Sequence, residues 1–451
     1  MRVHFIAIGG SAMHNLAIAL HKKRFQITGS DDEIFEPSYS RLKKYDLLPE
    51  KTGWDAGKIT HDLDAVILGM HARMENPELK RARELKLKVY SYPEFIYNQV
   101  KNKKRIVIGG SHGKTTITSM IMHVLKFLDY DFDYLVGANI KGFETMVGLS
   151  DHAKLAVLEG DEYLSSVLDK RPKFHLYHPH IAVITGIHWD HINVFPTFEE
   201  YVRQFREFIE LIEFKGALVY YRHDEIIDKL FPEEREDLYY WPYEKHPGVT
   251  RDGISYLKNA EALIRIGLFG DHNLENIAAA QKVCRLLGIK DADFYEAVSS
   301  FEGAARRLEK IAGDRSYSVF YDYAHSPSKV SATIKAVKSR FPDKPLIACL
   351  ELHTFSSLNK SFLSEYHDSM KEADEKVVFY SPETIKHKNL ENITKADIRH
   401  SFNEPELEVL SSKEALDAFL DDLSPKDKVI LFMSSGNFAG VDIKSRIQKI
   451  H

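Results

Sequence analysis

Lys114, followed by Thr115 and Thr116 and preceded by Gly109, Gly110 and Gly113, heads the group of residues best suited to chemistry in this chain. Glycines let a backbone approach a polyphosphate closely, and amides at the start of a helix point at the anion. A lysine adds a mobile positive charge for the outer phosphates, and a threonine hydroxyl binds a magnesium ion. The stretch 104–120 supplies the surrounding parts in order: a basic entry, the apolar run Ile106-Val107-Ile108, the glycine turn, then apolar residues at helical spacing. This pattern predicts a strand, a phosphate loop and a helix. A nucleoside triphosphate is the expected ligand, with Gly110, Gly113, Lys114, Thr115 and Thr116 as its contacts. The loop is a short form, since Ile108 stands where the common pattern has a glycine.

Other candidates stand at the ends of apolar runs, where α/β sheets place ligand-binding groups. Glu159 opens Glu159-Gly160-Asp161-Glu162, and a carboxylate beside a triphosphate serves to hold magnesium. Asp161 and Glu162 read equally well as functional groups and as solvated acids capping the next segment. His188-Trp189-Asp190-His191 could suggest zinc, but no matching Cys/His cluster occurs, so His191 fits a magnesium ligand better. In residues 270–276, His272, Asn273 and Asn276 can read an adenine edge. In residues 303–309, Arg307 can stabilise a transferring phosphoryl group. Asp322 follows another apolar strand and could bind ribose hydroxyls. At the start of the chain, Gly9-Gly10-Ser11 followed by Asp31 fits a dinucleotide-type unit that places a diphosphate over the glycines. Alanines at positions 7 and 12 replace the usual outer glycines, so a plain packing turn is the other reading.

The elements needed to position these residues are legible in order. Residues 2–30 read as a strand, a glycine turn, an amphipathic helix and a second strand, with further strands at 65–68 and 88–91 around a helix at 77–85. They define a domain at 1–100, followed by a charged linker at 99–105. A central domain at 101–312 carries the phosphate loop, strands at 155–159, 181–185 and 218–221, a helix at 198–214 and another at 273–287 capped by Asp271. Its stretch 231–247 reads as surface loops and edge strands. A third domain at 313–451 has strands at 318–322, 346–351, 376–380 and 429–433. The expected fold is α/β, in three domains each with a mostly parallel sheet.

A chain of 451 residues exceeds what one core organises, and 44% hydrophobic with 28% charged residues is ordinary for a globular protein. A net charge of −5 with interspersed signs gives no broad basic face for nucleic acid or membrane. Two distant cysteines, Cys284 and Cys349, argue against a disulfide framework and for a reducing compartment. With no apolar run of membrane-spanning length and no leader, the expectation is a cytoplasmic protein, a monomer or weak dimer, with small-molecule partners.

Taken together, GGSHGKTT (109–116), EGDE (159–162), HWDH (188–191), GDHNLEN (270–276), GAARRLE (303–309) and DYAHSP (322–327) resemble, in this order, the Mur ligase family of ATP-dependent amino acid and peptide ligases. The resemblance spans essentially the whole chain. It implies a Rossmann-like N-terminal domain for a UDP-sugar, a central P-loop ATPase domain, and a Rossmann-like C-terminal domain that helps bind the incoming amino compound. ATP and Mg2+ are the implied cofactors. Catalytic roles fall on Lys114, Glu159, His191 and Arg307, with magnesium at Thr115, Glu159 and His191. Adenine is implied near His272, Asn273 and Asn276, the phosphates near Arg307 and the ribose near Asp322. The sugar nucleotide is implied near Gly9, Gly10, Ser11, Asp31 and His191. The beginning IAIGGSAM (6–13) and Asn76-Pro77-Glu78 look like the branch that uses UDP-N-acetylmuramate as acceptor. Residues 159–179 and 433–440 look like members that add the tripeptide L-alanyl-γ-D-glutamyl-meso-diaminopimelate in peptidoglycan recycling. Addition of L-alanine in peptidoglycan biosynthesis is the alternative. The carbamylated lysine of several sister ligases has no counterpart after His191.

Overall fold

Short β-branched and aliphatic runs, buried on both faces, form the parallel sheets around which this chain folds. The computed structural model describes residues 1–70, 72–230, 235–251, 253–260, 262–314 and 316–449. These form two compact units, one of residues 1–187, 202–244 and 279–297, the other of 188–201, 245–278 and 298 onward.

The first unit holds two sheets. One is four-stranded and wholly parallel, in the order Gln26–Ser30, Arg2–Ile6, Ala65–Leu68, Val89–Ser91. The other is seven-stranded, in the order Tyr239–Tyr243, Ala217–Tyr221, Ile181–Ile184, Lys104–Gly109, Leu155–Glu159, Phe132–Leu135, Val147–Gly148, and only its last pair is antiparallel. Lys104–Gly109 is its central strand, so the glycine turn after it leaves the sheet at the carboxyl end of the most enclosed position.

The second unit contains a six-stranded sheet in the order Glu309–Gly313, Ser318–Asp322, Val429–Met433, Leu346–Leu352, Glu375–Tyr380, Glu408–Leu410, parallel except for its first pair. Side chains alternate between its two faces. Phe320, Ala348, Leu350, Val378 and Leu431 enter one buried cluster, and Val319, Ile347, Cys349, Val377 and Phe432 the other. Both cysteines are buried free thiols, and burial raises both above the ordinary thiol range.

The three mostly parallel sheets match the sequence expectation, with local differences. A three-stranded antiparallel sheet, Gly248–Arg251, Ile254–Asn259 and Ala262–Ile266, was not anticipated. The expected helix at 198–214 stops at Glu210, and Asp271 lies in the first turn of its helix rather than at the cap. Gly270, at φ +88°, precedes it. The expected linker at 99–105 contains the end of the helix Tyr92–Val100 and the start of the central strand, with Arg105 buried. Of the stretch 231–247, residues 231–234 lie outside the described residues, and Tyr239–Tyr243 is an edge strand as expected. Among the described residues no helix is long and apolar enough to cross a membrane.

Asn76-Pro77-Glu78 has a structural duty in the first sheet. The Asn76 side chain caps the helix Pro77–Glu84 by accepting from the Glu78 and Leu79 amides, at 2.9 and 3.1 Å. Glu78 is fully buried, accepts the Asp55 amide at 2.8 Å and meets His4 Nε2 at 3.2 Å. Burial opposes its charge, but His4, Ser30 and the Asp55 amide outweigh that and hold its carboxyl below the ordinary range.

Candidate active site

Gly110 and Gly113 carry the phosphate loop at φ +118° and +70°, in the left-handed region that only glycine enters without cost. A Cβ on Gly110 would lie 2.2 Å from Thr185 Oγ1, so the loop is also sterically closed to other residues there. The Thr185 hydroxyl donates to the His112 carbonyl and pins the loop against the neighbouring strand. Gly113 forms the N-cap of the helix Lys114–Phe127 and offers no side-chain cap, so the first-turn amides face outward as an anion site.

Lys114 opens that helix. Its Nζ donates to Gly110 O at 2.7 Å and to Glu162 Oε2 at 2.6 Å. The Glu162 side chain is only 2% exposed and that of Lys114 14%. Burial disfavours the ammonium, but Glu162, Asp161 and Glu159 more than compensate and raise its pKa. Thr115 Oγ1 donates to Glu159 Oε1 at 2.8 Å, while Glu159 Oε2 accepts the Gly137 amide at 2.6 Å. Thr116 is buried in the same turn. A hydroxyl and a carboxylate in contact beside a helix N-terminus form a set of hard oxygen donors that fits Mg2+ bound to a triphosphate.

Among the acids of this loop Glu159 is the one in contact with Thr115, whereas Glu162, read from sequence only as an open possibility, is the buried partner of the loop lysine. Its loop is held from the other side. Lys173 Nζ meets Asp161 Oδ2 at 2.5 Å, the Phe174 amide donates to Asp161 O at 3.1 Å, and Arg171 pairs with Asp169 at 2.7 Å. Gly160 is required by packing, since a Cβ would stand 2.8 Å from Val107 Cγ1 and 3.0 Å from Phe174 Cβ.

In the four-stranded sheet, Gly9 and Gly10 lead into the helix Ser11–Lys22, whose start is exposed and has no side-chain cap. Asp31 accepts the Gly9 amide at 2.7 Å. Burial, and next the neighbouring Asp32, push its carboxyl up to about 6. Its first visible role is to fix the glycine turn. Ala7, at the position of the missing fingerprint glycine, keeps the left-handed conformation at φ +69°, and the turn survives because Gly69 yields space beside it.

In the second unit, His191 also sits at positive φ, +57°, and its amide donates to Asp190 Oδ1 at 2.7 Å. The Asp190 side chain is 7% exposed and meets His325 Nε2 at 3.7 Å and Lys329 Nζ at 3.8 Å. Burial opposes its charge, but His191, His325 and Lys329 hold its carboxyl well below the usual range. Sequence reasoning passed over Asp190, His325 and Lys329. The adjacent charged residues in HWDH and DYAHSP gave a signal, but only the fold shows that Asp190 is the buried centre.

Asn273 Nδ2 donates to Phe269 O at 2.8 Å, and Asn276 Nδ2 to Asn273 Oδ1 at 3.3 Å. Burial lowers His272 below its ordinary range against the pull of Asp322 and Asp271. Asp322 accepts from the Leu308 and Ala324 amides at 2.6 and 2.7 Å, so it ties the GAARRLE turn to the six-stranded sheet. Of the two arginines in that turn, Arg306 bonds Tyr321 Oη, Ser434 O and Gly436 O at 2.9, 3.1 and 2.6 Å. Arg307 lies over the Tyr323 ring, 4.3 Å from its centroid. Arg306 is thus tied to the edge of the six-stranded sheet by its guanidinium.

A strand, a glycine loop with a lysine on the following helix, and a hydroxyl–carboxylate pair beside it define a P-loop nucleotide-binding enzyme. The Mur ligase family models match almost end to end: the catalytic domain over residues 2–104, the middle domain over 108–284 and the glutamate ligase domain over 306–436. The chain belongs to the Mur ligase family, and it is an ATP-dependent, amide-bond-forming ligase that uses ATP and Mg2+. A UDP-N-acetylmuramate–L-alanine ligase of Caldicellulosiruptor bescii is 29% identical over 96% of this chain and 95% of its own length. Among solved structures, a UDP-N-acetylmuramate–alanine ligase of Thermotoga maritima superposes with a TM-score of 0.73 at 21% identity, covering 100% of this chain and 99% of that one. A murein peptide ligase of Psychrobacter arcticus gives 0.70 at 22%, covering 100% and 98%.

Proposed function

We propose that this ligase joins the lactyl carboxylate of UDP-N-acetylmuramate to the amino group of L-alanine. The observation that carries the activation half of this reading is the contact of Thr115 with Glu159 beside Lys114, which assembles the charges a transferring phosphoryl group requires. The choice of L-alanine is supported by the names of the full-length relatives, and it reverses the preference drawn from residues 159–179. Addition of the tripeptide is the second reading. The motif Asp169-Lys170-Arg171 favours it, as does the likeness to the murein peptide ligase fold.

Residues 1–100 are assigned to the sugar nucleotide, with Gly9, Gly10, Ser11 and Asp31 at its diphosphate and nucleoside. Residues 101–312 are assigned to ATP and 313–451 to the amino compound. Lys114 stabilises the γ-phosphoryl group as the carboxylate attacks it, and Thr115 and Glu159 hold Mg2+, which neutralises phosphate charge when bound. His191 is assigned to a magnesium and substrate role, His272, Asn273 and Asn276 to adenine, Asp322 to ribose and Arg307 to phosphate. The carboxylate oxygen forms a bond to phosphorus as ADP leaves. The amine then forms the amide bond, phosphate leaves, and the amine gives up a proton.

The test supplies UDP-N-acetylmuramate and ATP with either L-alanine or the tripeptide and measures phosphate release. Release with L-alanine supports the first reading, release with the tripeptide alone supports the second, and release with neither contradicts the acceptor assignment.

A further inference from the structure

Asn15 sits in the helix Ser11–Lys22, a turn beyond Gly10, and is wholly buried. An amide is a poor choice for a buried helix position unless its polar atoms are all used. Its Nδ2 donates to Ser11 O at 2.7 Å and to His14 Nε2 at 3.1 Å. The histidine can accept there because its Nδ1 donates to Gly10 O at 2.9 Å, and burial, against the pull of that carbonyl, lowers its pKa and keeps the ring neutral.

The Asn15 Oδ1 turns to a segment 131 residues away, where it accepts the Met146 amide at 2.9 Å. Met146 O in turn accepts the Val136 amide at 3.0 Å, and the next amide, Gly137, donates to Glu159 Oε2 at 2.6 Å. Hydrogen bonds in series thus join the helix of the four-stranded sheet to the carboxylate beside the phosphate loop. The far end has no slack, since a Cβ on Gly137 would stand 2.7 Å from Glu159 Oε1. Arg41, in the helix Ser38–Lys44, braces the same loop, with Nη1 3.4 Å from Asn15 Oδ1 and Nη2 donating to Asn139 Oδ1 at 2.9 Å. Glu144 meets Lys22 and Lys44 at 2.7 and 2.5 Å, but these side chains are exposed, and such pairs contribute little. The buried Asn15 amide therefore sets where the loop 136–146 stands.

We propose that Asn15 is a positioning residue for Glu159: by holding the Met146 amide it fixes the loop 136–146, and through Gly137 it orients the carboxylate that receives Mg2+. With one Glu159 oxygen held by Gly137, the other is presented together with the Thr115 hydroxyl. This rests on the assignment of Glu159 to the metal, and not on which amino compound is joined.

The experiment measures, in the full chain, the affinity for a non-hydrolysable ATP analogue by calorimetry with Mg2+ and with EDTA, and the ligand-free melting midpoint. Wild type is compared with Asn15→Leu, Asn15→Asp, Asn139→Ala and Glu159→Gln. The expected result is that Mg2+ tightens binding to wild type and that Asn15→Leu loses about tenfold of this tightening, with its affinity in EDTA unchanged. Asn15→Asp keeps most of the tightening, because its oxygen still accepts the Met146 amide, although its midpoint falls as the second oxygen faces Ser11 O. Asn139→Ala alters only an exposed anchor of the loop and loses a smaller share; it decides the matter should Asn15→Leu not fold. A merely structural role makes the tightening follow the midpoint, with Asp no better than Leu. That order, or full tightening in Asn15→Leu or, where that variant does not fold, in Asn139→Ala, overturns the inference. Absence of tightening in wild type, or full tightening in Glu159→Gln, overturns the metal assignment, whereas its loss in Glu159→Gln with full retention in Asn15→Leu overturns the role of Asn15 alone.

Discussion

Lys114→Met abolishes ATP-dependent ligation, with kcat down at least about a thousandfold, because the charge that stabilises the transferring phosphoryl group is gone. The structure adds a second effect. Glu162 is 2% exposed and hydrogen-bonded to the lysine at 2.6 Å, so the single variant strands a buried carboxylate. Breaking a buried pair from one side costs about 3–5 kcal/mol. The melting midpoint of Lys114→Met therefore falls, and Glu162→Gln in the same chain restores most of it, since a neutral amide is far cheaper to bury than an unpaired charge. Activity stays absent in the double variant. Normal turnover in Lys114→Met contradicts the role given to the loop, and an unchanged midpoint contradicts the pairing with Glu162.

Asp190→Ala carries the second large effect. Asp190 accepts the His191 amide and faces His325 and Lys329, and these groups hold it ionised despite its burial. Removing it frees His191 from its left-handed backbone conformation and leaves Lys329 facing no carboxylate at that point. A misplacement of about 1 Å in a positioning group costs about a hundredfold in rate, and the lost pair costs about 3–5 kcal/mol. Asp190→Asn separates the two contributions, because its amide oxygen still accepts from the His191 N–H while the charge is lost. Kinetics and thermal melting of both variants check this: Asn is expected to retain more activity than Ala. Equal, wild-type rates in both would remove Asp190 from the account. Because the folded-state pKa of Asp190 is depressed, its stabilisation is present above the ordinary aspartate range near pH 4 and is lost as pH falls through the lower folded value.

Much of this fold is legible in the sequence, for a physical reason. Strands such as Ala65–Leu68, Leu155–Glu159, Ser318–Asp322 and Val429–Met433 are short apolar runs bounded by turn or polar residues, and burial on both faces leaves few alternative boundaries. The antiparallel sheet at 248–266 escaped because its strands are largely solvent-facing and lack that apolar density, although Asp252-Gly253 is a hairpin signal. The strand Glu309–Gly313 was hidden by its glycine and charged residues at the edge of its sheet.

The candidate site divides in the same way. Gly110, Gly113, Lys114 and Thr115 are fixed by local backbone chemistry and can be read from their order. Glu159 follows from its place at a strand end. Glu162 and Asp190 depend on which groups the fold brings beside them, and nothing in their immediate neighbours distinguishes a buried partner from a solvated acid. Arg306 and Arg307 are adjacent and chemically identical, and only the fold shows that Arg306 bonds Tyr321, Ser434 and Gly436 while Arg307 lies nearer the Tyr323 ring, at 4.3 Å against 5.5 Å.

The central claim is that the carboxylate of the acceptor is activated by direct transfer of the γ-phosphoryl group. Turnover of UDP-N-acetylmuramate labelled with oxygen-18 in both lactyl carboxylate oxygens, followed by mass spectrometry of the released phosphate, tests it most directly. The account predicts that each phosphate carries one labelled oxygen from the carboxylate; phosphate released during amide formation with no label would contradict it.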